Sequence, residues 1–173
     1  MVTHAYNRYL INPFWTLESY RNLHYTRENF NDPDQVALWL SQGYIDRFEG
    51  DMCDMRQPQP EWNQRIIDRF AAQGWQDIGT SYYRMKTGTV LPVHSDRYVR
   101  YINVFNLQGR EHTIRRAIIF LEDWASGHYS EVCGEPVMGW RAGTTIEWAY
   151  DAPHMAANIG LRPRYTLQIT GHI

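Results

Sequence analysis

Apolar positions along this chain change their spacing near Trp75. Before it they fall at helical intervals. Val36, Leu38, Trp39 and Leu40 follow Asp32-Pro33, and Trp62, Ile66, Ile67 and Phe70 follow Pro60. Asp32 is suited to cap a helix N-terminus with Pro33 in the first turn, and Gly43 can end that helix. A second helix is predicted from near Pro60 to Gly74. Residues 51–60, carrying Pro58 and Pro60, read as a loop. After Trp75 the apolar runs shorten and are separated by Gly, Pro, Asp and Asn. They predict strands over 76–86, 89–94, 98–105, 113–121, 136–140, 144–149, 153–159 and 164–171. Val104, Phe105 and the run Ile118, Ile119, Phe120 and Leu121 are the predicted core. Tyr165, Leu167 and Ile169 alternate with Arg164, Thr166, Gln168 and Thr170, which predicts a strand with one face buried. Short strands at such regular spacing point to a mainly β sandwich or barrel, with the N-terminal helices as buttresses against one sheet.

The chain has 173 residues, a length that predicts a single domain with a sizeable core. Residues 1–75 form its helical and irregular part and 76–173 its β core. A net charge of -2 gives no basic field for nucleic acid or an anionic membrane, so neither is expected as a partner. Seven Trp and 12 Tyr suit a β-rich core or a lined pocket. Cys53 and Cys133 form no C-x-x-C pair, which argues against a zinc knuckle or thiol redox site; one disulfide or two reduced thiols both fit. The first residues contain no apolar run of signal-peptide length, and no stretch approaches a membrane span of roughly 20 residues. A cytoplasmic location is the expectation.

His94-Ser95-Asp96 changes the picture from fold to chemistry. On an extended segment, side chains at i and i+2 share a face, so His94 and Asp96 can meet one metal ion. Pro92 stiffens the approach and Gly88 marks a turn before it. His154 follows the Asp151-Ala152-Pro153 turn at the start of a later strand. Two imidazoles and a carboxylate can cap one face of an octahedral metal and leave the other open. A hairpin with its turn near 160–163 would put His154 and Arg164 on adjacent strands, with Arg164 deeper in the pocket. Arg164 and Thr166 then offer a guanidinium fork and a hydroxyl for a carboxylate.

The stretch from about Tyr82 to Gly171 resembles the 2-oxoglutarate and Fe(II)-dependent oxygenase superfamily, whose members share a double-stranded β-helix of the jelly-roll or cupin type and an H-x-D…H ligand set. The resemblance implies His94, Asp96 and His154 as metal ligands and as the catalytic centre. It implies Arg164 as anchor of the 2-oxoglutarate cosubstrate, with Thr166 in place of the Ser of an R-x-S motif. Tyr83 resembles a tyrosine that contacts the cosubstrate in some prolyl hydroxylases. The run Trp140-Arg141-Ala142-Gly143-Thr144, continued to His154 and Asn158, resembles the aspartyl/asparaginyl hydroxylase branch, although that branch commonly lacks the carboxylate that Asp96 supplies. The implied activity consumes 2-oxoglutarate and dioxygen, yields succinate and carbon dioxide, and hydroxylates a small-molecule or peptidyl substrate.

Other roles stay open at this level. Trp148 and Tyr150 either line the pocket or pack in their strands. Arg115 and Arg116 read as a solvated strand edge, with service to an acidic ligand as the alternative. His112 and His128 lack a partnered carboxylate at short spacing and are taken as non-ligands. A cupin-type metal-binding protein without 2-oxoglutarate would share the barrel, but it would favour closely spaced histidines such as H-x-H, which this chain lacks. A non-catalytic β-sandwich for interaction is the third reading.

Overall fold

The structure, a computed structural model, describes residues 6–45, 48–53, 55 and 57–173. Eleven strands are seen among them: β1 (Tyr6–Leu10), β2 (Tyr25–Asn29), β3 (Glu49–Cys53), β4 (Gln76–Met85), β5 (Thr89–His94), β6 (Ile114–Phe120), β7 (His128–Val132), β8 (Glu135–Val137), β9 (Thr144–Ala149), β10 (His154–Asn158) and β11 (Arg164–His172). Four helices accompany them: α1 (Leu17–Arg21), α2 (Pro33–Ser41), α3 (Asn63–Ala71) and α4 (Val99–Phe105). The strands form an antiparallel seven-stranded sheet, β1-β9-β6-β11-β4-β3-β2, and an antiparallel four-stranded sheet, β5-β10-β7-β8. This is the mainly β double-stranded β-helix expected from the sequence.

Two apolar clusters show how the layers pack. Phe120, Ile146 and Trp148 of the large sheet meet Val132, Val137 and Trp140 on the small-sheet side, so the two sheets face one another. On the other face of the large sheet, Tyr82, Ile119, Leu167 and Ile169 pack against Ile66 and Phe70 of α3. The helix therefore buttresses the sheet as its apolar spacing predicts. At the N-terminus of α2, Asp32 Oδ1 accepts from the backbone N–H groups of Asp34 and Gln35, both at 3.2 Å. Gly143 is needed where it stands. Its φ is +85° and an added Cβ would collide with the Ile11 carbonyl, the point where the end of β1 is hydrogen-bonded to the sheet through Ile11 N–H and Gly143 O.

Several expectations are corrected. Residues 98–105 are a helix, not a strand. Tyr101 and Phe105 stack one turn apart at 4.7 Å and lie over His172, while Tyr98 and Asn106 close both ends in left-handed conformation. That i, i+4 pairing outweighed the β-branched composition of the run. The first third is not only helical and irregular: it adds β1 at one edge of the large sheet and β3 and β2 at the other, and β3 takes the start of the segment read as a loop. Strand β7 falls between the predicted runs, and β8 is shorter than 136–140. Strand β11 is buried on both faces, because its polar series faces the inside of the barrel rather than water. Cys53 and Cys133 lie in different clusters and are not bonded to each other. Among the described residues no helix is long and apolar enough to cross a membrane.

Candidate metal centre

The metal-ligating types meet where β5 pairs with β10. His94 and His154 are direct partners in that register, followed by an irregularity between His154 and Ala156. Their rings lie 4.3 Å apart. Asp96 follows just beyond the end of β5. Ser95 Oγ donates to the Asp151 carbonyl at 2.7 Å, which ties this segment to the turn before His154. Asp96 Oδ1 is 4.0 Å from His94 Nε2, and Asp96 Oδ2 is 3.9 Å from His154 Nε2. One ligand atom from each of the three residues lies within 4.8 Å of the others.

Backbone contacts set the tautomers. His94 Nδ1 is 2.7 Å from the Pro92 carbonyl and His154 Nδ1 is 3.0 Å from the Ala152 carbonyl. A carbonyl only accepts, so each Nδ1 carries the proton and each Nε2 presents a lone pair to the common centre. Rings hold the imidazoles in place. Phe30 and Trp39 meet His94 edge-on at 4.8 and 5.7 Å, and Trp148 packs on His154 at 4.9 Å. Trp148 therefore packs against a candidate ligand, and the N-terminal third supplies the far wall of the site.

Burial keeps both imidazoles neutral. It lowers the His94 pKa, and it lowers that of His154 to about 4 against the opposing pull of Asp96. Burial pushes the Asp96 carboxyl up, but Arg116 and the two imidazoles outweigh it and hold the group at about 2. A folded-state histidine pKa below its ordinary value means that the unfolded chain binds more protons. The metal-free protein should therefore keep this contribution above pH 6.5 and lose it progressively towards pH 4, while Asp96 contributes a loss only below the ordinary carboxylate range. Unfolding free energies at pH 7.5 and 5 should differ by on the order of 2 kcal/mol in the wild type and by less in His154→Ala. An equal pH dependence in the two proteins would refute this assignment.

Beside the metal-ligating trio lies a cavity of about 200 Å³, lined among others by His94, His154, Tyr83, Arg164, Thr166 and Gln168. The predicted placement of Arg164 beside His154 on an adjacent strand is corrected. Strand β10 belongs to the small sheet, whereas β11 lies between β4 and β6 in the large one, so the two residues approach from opposite sheets. Arg164 is 8% exposed. Its Nη1 donates to the Tyr129 carbonyl at 2.8 Å and its Nε has no partner among the described residues. Burial lowers its pKa to about 10. A buried guanidinium without a counter-charge is costly, and an anion in the cavity would relieve it. Thr166 and Tyr83 are partners across β11 and β4. The Tyr83 hydroxyl donates to Glu28 Oε2 at 3.1 Å and so is tied to β2.

The expectation for Arg116 is also corrected. It is not on a solvated edge: its side chain is 13% exposed inside the barrel and donates from Nη2 to Asp96 Oδ2 at 3.0 Å. Alternation on β6 places it on the same side as Ile118 and Phe120, and that signal was available in the sequence. Arg115 points the other way and donates to the carbonyls of His112 and Ile114. His128 lies on β7 outside the trio, with Nε2 at 2.9 Å from the Arg162 carbonyl. Asn158 Nδ2 donates to the carbonyls of Met85 and Arg162, fastening the end of β10. A wider groove of about 1190 Å³ is lined among others by Asp96, Arg116, Glu28, Phe30, Tyr98 and Val104.

No protein-family model and no curated protein matches the sequence. Solved structures do. A prolyl-4-hydroxylase from Pseudomonas putida aligns over 98% of this chain and 93% of its own, at TM-score 0.57 and 15% identity. An oxidoreductase of the 2OG-Fe(II) oxygenase family from Burkholderia pseudomallei aligns over 88% and 75%, at 0.57 and 13%. The non-heme alpha-ketoglutarate-dependent carbocyclase SnoK from nogalamycin biosynthesis aligns over 92% and 84%, at 0.50 and 13%. At these identities the likeness establishes the fold.

Proposed function

We propose that this protein is an Fe(II)- and 2-oxoglutarate-dependent dioxygenase that hydroxylates an amino-acid or peptidyl side chain. The observation that carries the reading is one cavity that meets both an open-faced set of two neutral imidazoles and a carboxylate, and a buried guanidinium without a counter-charge among the described residues. The donor set fits iron: two Nε2 lone pairs and one carboxylate oxygen are the ligands of non-haem Fe(II) oxygenases, which keep positions free. His94, Asp96 and His154 would hold the metal. Arg164, helped by Thr166, would hold the far carboxylate of 2-oxoglutarate, and Tyr83 would wall the same pocket. Iron with its cosubstrate and dioxygen supplies the oxidising chemistry; the chain supplies position and a dry enclosure. Phe30 and Trp39 keep water from the His94 side. The wider groove would take the substrate, and residues 1–173 act together as one oxygenase domain whose N-terminal part walls the site.

The test is turnover by the anaerobically purified protein given Fe(II), 2-oxoglutarate and then air. Succinate should form, at a low rate without substrate and faster when a peptide or amino-acid screen supplies one. Iron binding without any dependence on 2-oxoglutarate would favour a cupin-type metalloprotein. A protein that neither binds iron nor decarboxylates 2-oxoglutarate would overturn the proposal.

A further inference from the structure

Among the described residues, Arg116 is the one guanidinium that pairs with a member of the metal-ligating trio, and no sequence motif points to it. Three groups converge on it, two from the segment between β5 and α4 and one from β11. Asp96 Oδ2, beyond β5, accepts from Nη2 at 3.0 Å. The Tyr98 hydroxyl, at the start of α4, accepts from Nε at 3.3 Å, and the guanidinium lies 4.8 Å over the Tyr98 ring. In the amide orientation that satisfies both partners, Gln168 of β11 accepts from Nη1 and Nε. A planar fork held at several points cannot swing, so the carboxylate it grips cannot swing either. Asp96 itself lies on a segment outside regular structure, where its own backbone does little to fix the side chain.

We propose that Arg116 is a positioning residue of the metal centre, clamping Asp96 by Oδ2 so that the carboxylate offers Oδ1 to the metal as a one-oxygen ligand. The inference rests on the metal-centre reading above and adds to it a residue and a ligand mode. A carboxylate free to rotate could offer both oxygens and occupy a position that the reaction needs open. The clamp also reaches the groove, because Tyr98 begins the helix that forms one wall of it.

Charge and position make opposite predictions, which decides the matter. If Arg116 acted only as a nearby positive charge, removing it would tighten binding of a divalent cation. If it positions Asp96, removing it weakens binding, and losing such an outer partner typically costs about 10–100-fold. The experiment is anaerobic titration of the full chain with Fe(II), and with Co(II) as a spectroscopic probe, for wild type, Arg116→Met and Arg116→Lys. Arg116→Met should bind both metals about 10–100-fold more weakly and alter the Co(II) ligand-field spectrum. Arg116→Lys, which keeps one donor for Asp96, should fall between the two. Affinity equal to or tighter than wild type, with an unchanged spectrum, overturns the proposal. Should Arg116→Met fail to fold, Tyr98→Phe decides instead: severalfold weaker binding supports the clamp, and unchanged binding overturns it. A wild type that binds no divalent metal overturns the oxygenase reading as well, whereas a wild type that binds while Arg116→Met equals it overturns this inference alone.

Discussion

His154→Ala should abolish metal binding and with it all succinate formation, the largest effect expected of any single change. Two ligands cannot hold Fe(II) against water as three do. The loss should exceed the roughly 100-fold upper end seen when only an outer partner is removed. The fold should survive. His154 is the first residue of β10, its backbone pairing does not depend on the ring, and its neighbour Trp148 remains anchored in the apolar cluster. Truncation also removes an imidazole that folding holds neutral against protonation, so below about pH 6 part of the packing loss should be offset. Anaerobic calorimetry with Fe(II), alongside a circular-dichroism melt, separates the two outcomes. His112→Ala, at an exposed position away from the trio, is the control and should bind as wild type. If His154→Ala kept wild-type metal affinity, the ligand set would be wrong.

The parts of this site that were legible in the sequence are those set by local spacing. An extended segment puts His94 and Asp96 on one side, and the structure places them and His154 within ligand distance of a common point. Helices α2 and α3 were legible through an N-cap at Asp32 and apolar positions at helical spacing, whereas the short α1 was not. What escaped depended on partners distant in the chain. Strands β1, β2 and β3 are short and polar, and they exist because the large sheet offers them edges to pair with. The placement of Arg164 was misjudged because β9, β10 and β11 alternate between the sheets, so β10 and β11 belong to opposite sheets instead of pairing. Arg116 was passed over because an Arg-Arg pair reads as surface until the alternation of β6 is set against a barrel interior. Helix α4 was mistaken for a strand because its β-branched composition hid a one-turn stack of Tyr101 on Phe105.

Arg164→Met should separate function from stability in opposite directions. In the proposed site the side chain serves binding and not the fold: it is buried, it makes one hydrogen bond to the Tyr129 carbonyl, and its Nε is left without a partner among the described residues. Removing the partner of a buried charge–charge contact costs about 2–5 kcal/mol of binding. The apparent Michaelis constant for 2-oxoglutarate should therefore rise by roughly 30-fold or more, since about 1.4 kcal/mol corresponds to tenfold. Metal affinity should hardly change, because Arg164 is absent from the ligand trio. The unliganded protein should at the same time become more stable. A methionine of similar reach fills the space and removes the cost of burying an uncompensated cation, which in comparable replacements gains about 1–4 kcal/mol. For a domain of this size each kcal/mol raises the melting temperature by about 2–4 °C. Saturating 2-oxoglutarate with a redox-silent metal should shift the balance back towards the wild type. At 100 times its dissociation constant a ligand stabilises the native state by about 2.7 kcal/mol, whereas a variant that binds roughly 30-fold more weakly gains only about 0.9 kcal/mol at the same concentration. A variant that melts lower than wild type while keeping its 2-oxoglutarate affinity would show that Arg164 serves the fold, and the cosubstrate site would then have to be sought elsewhere in the barrel.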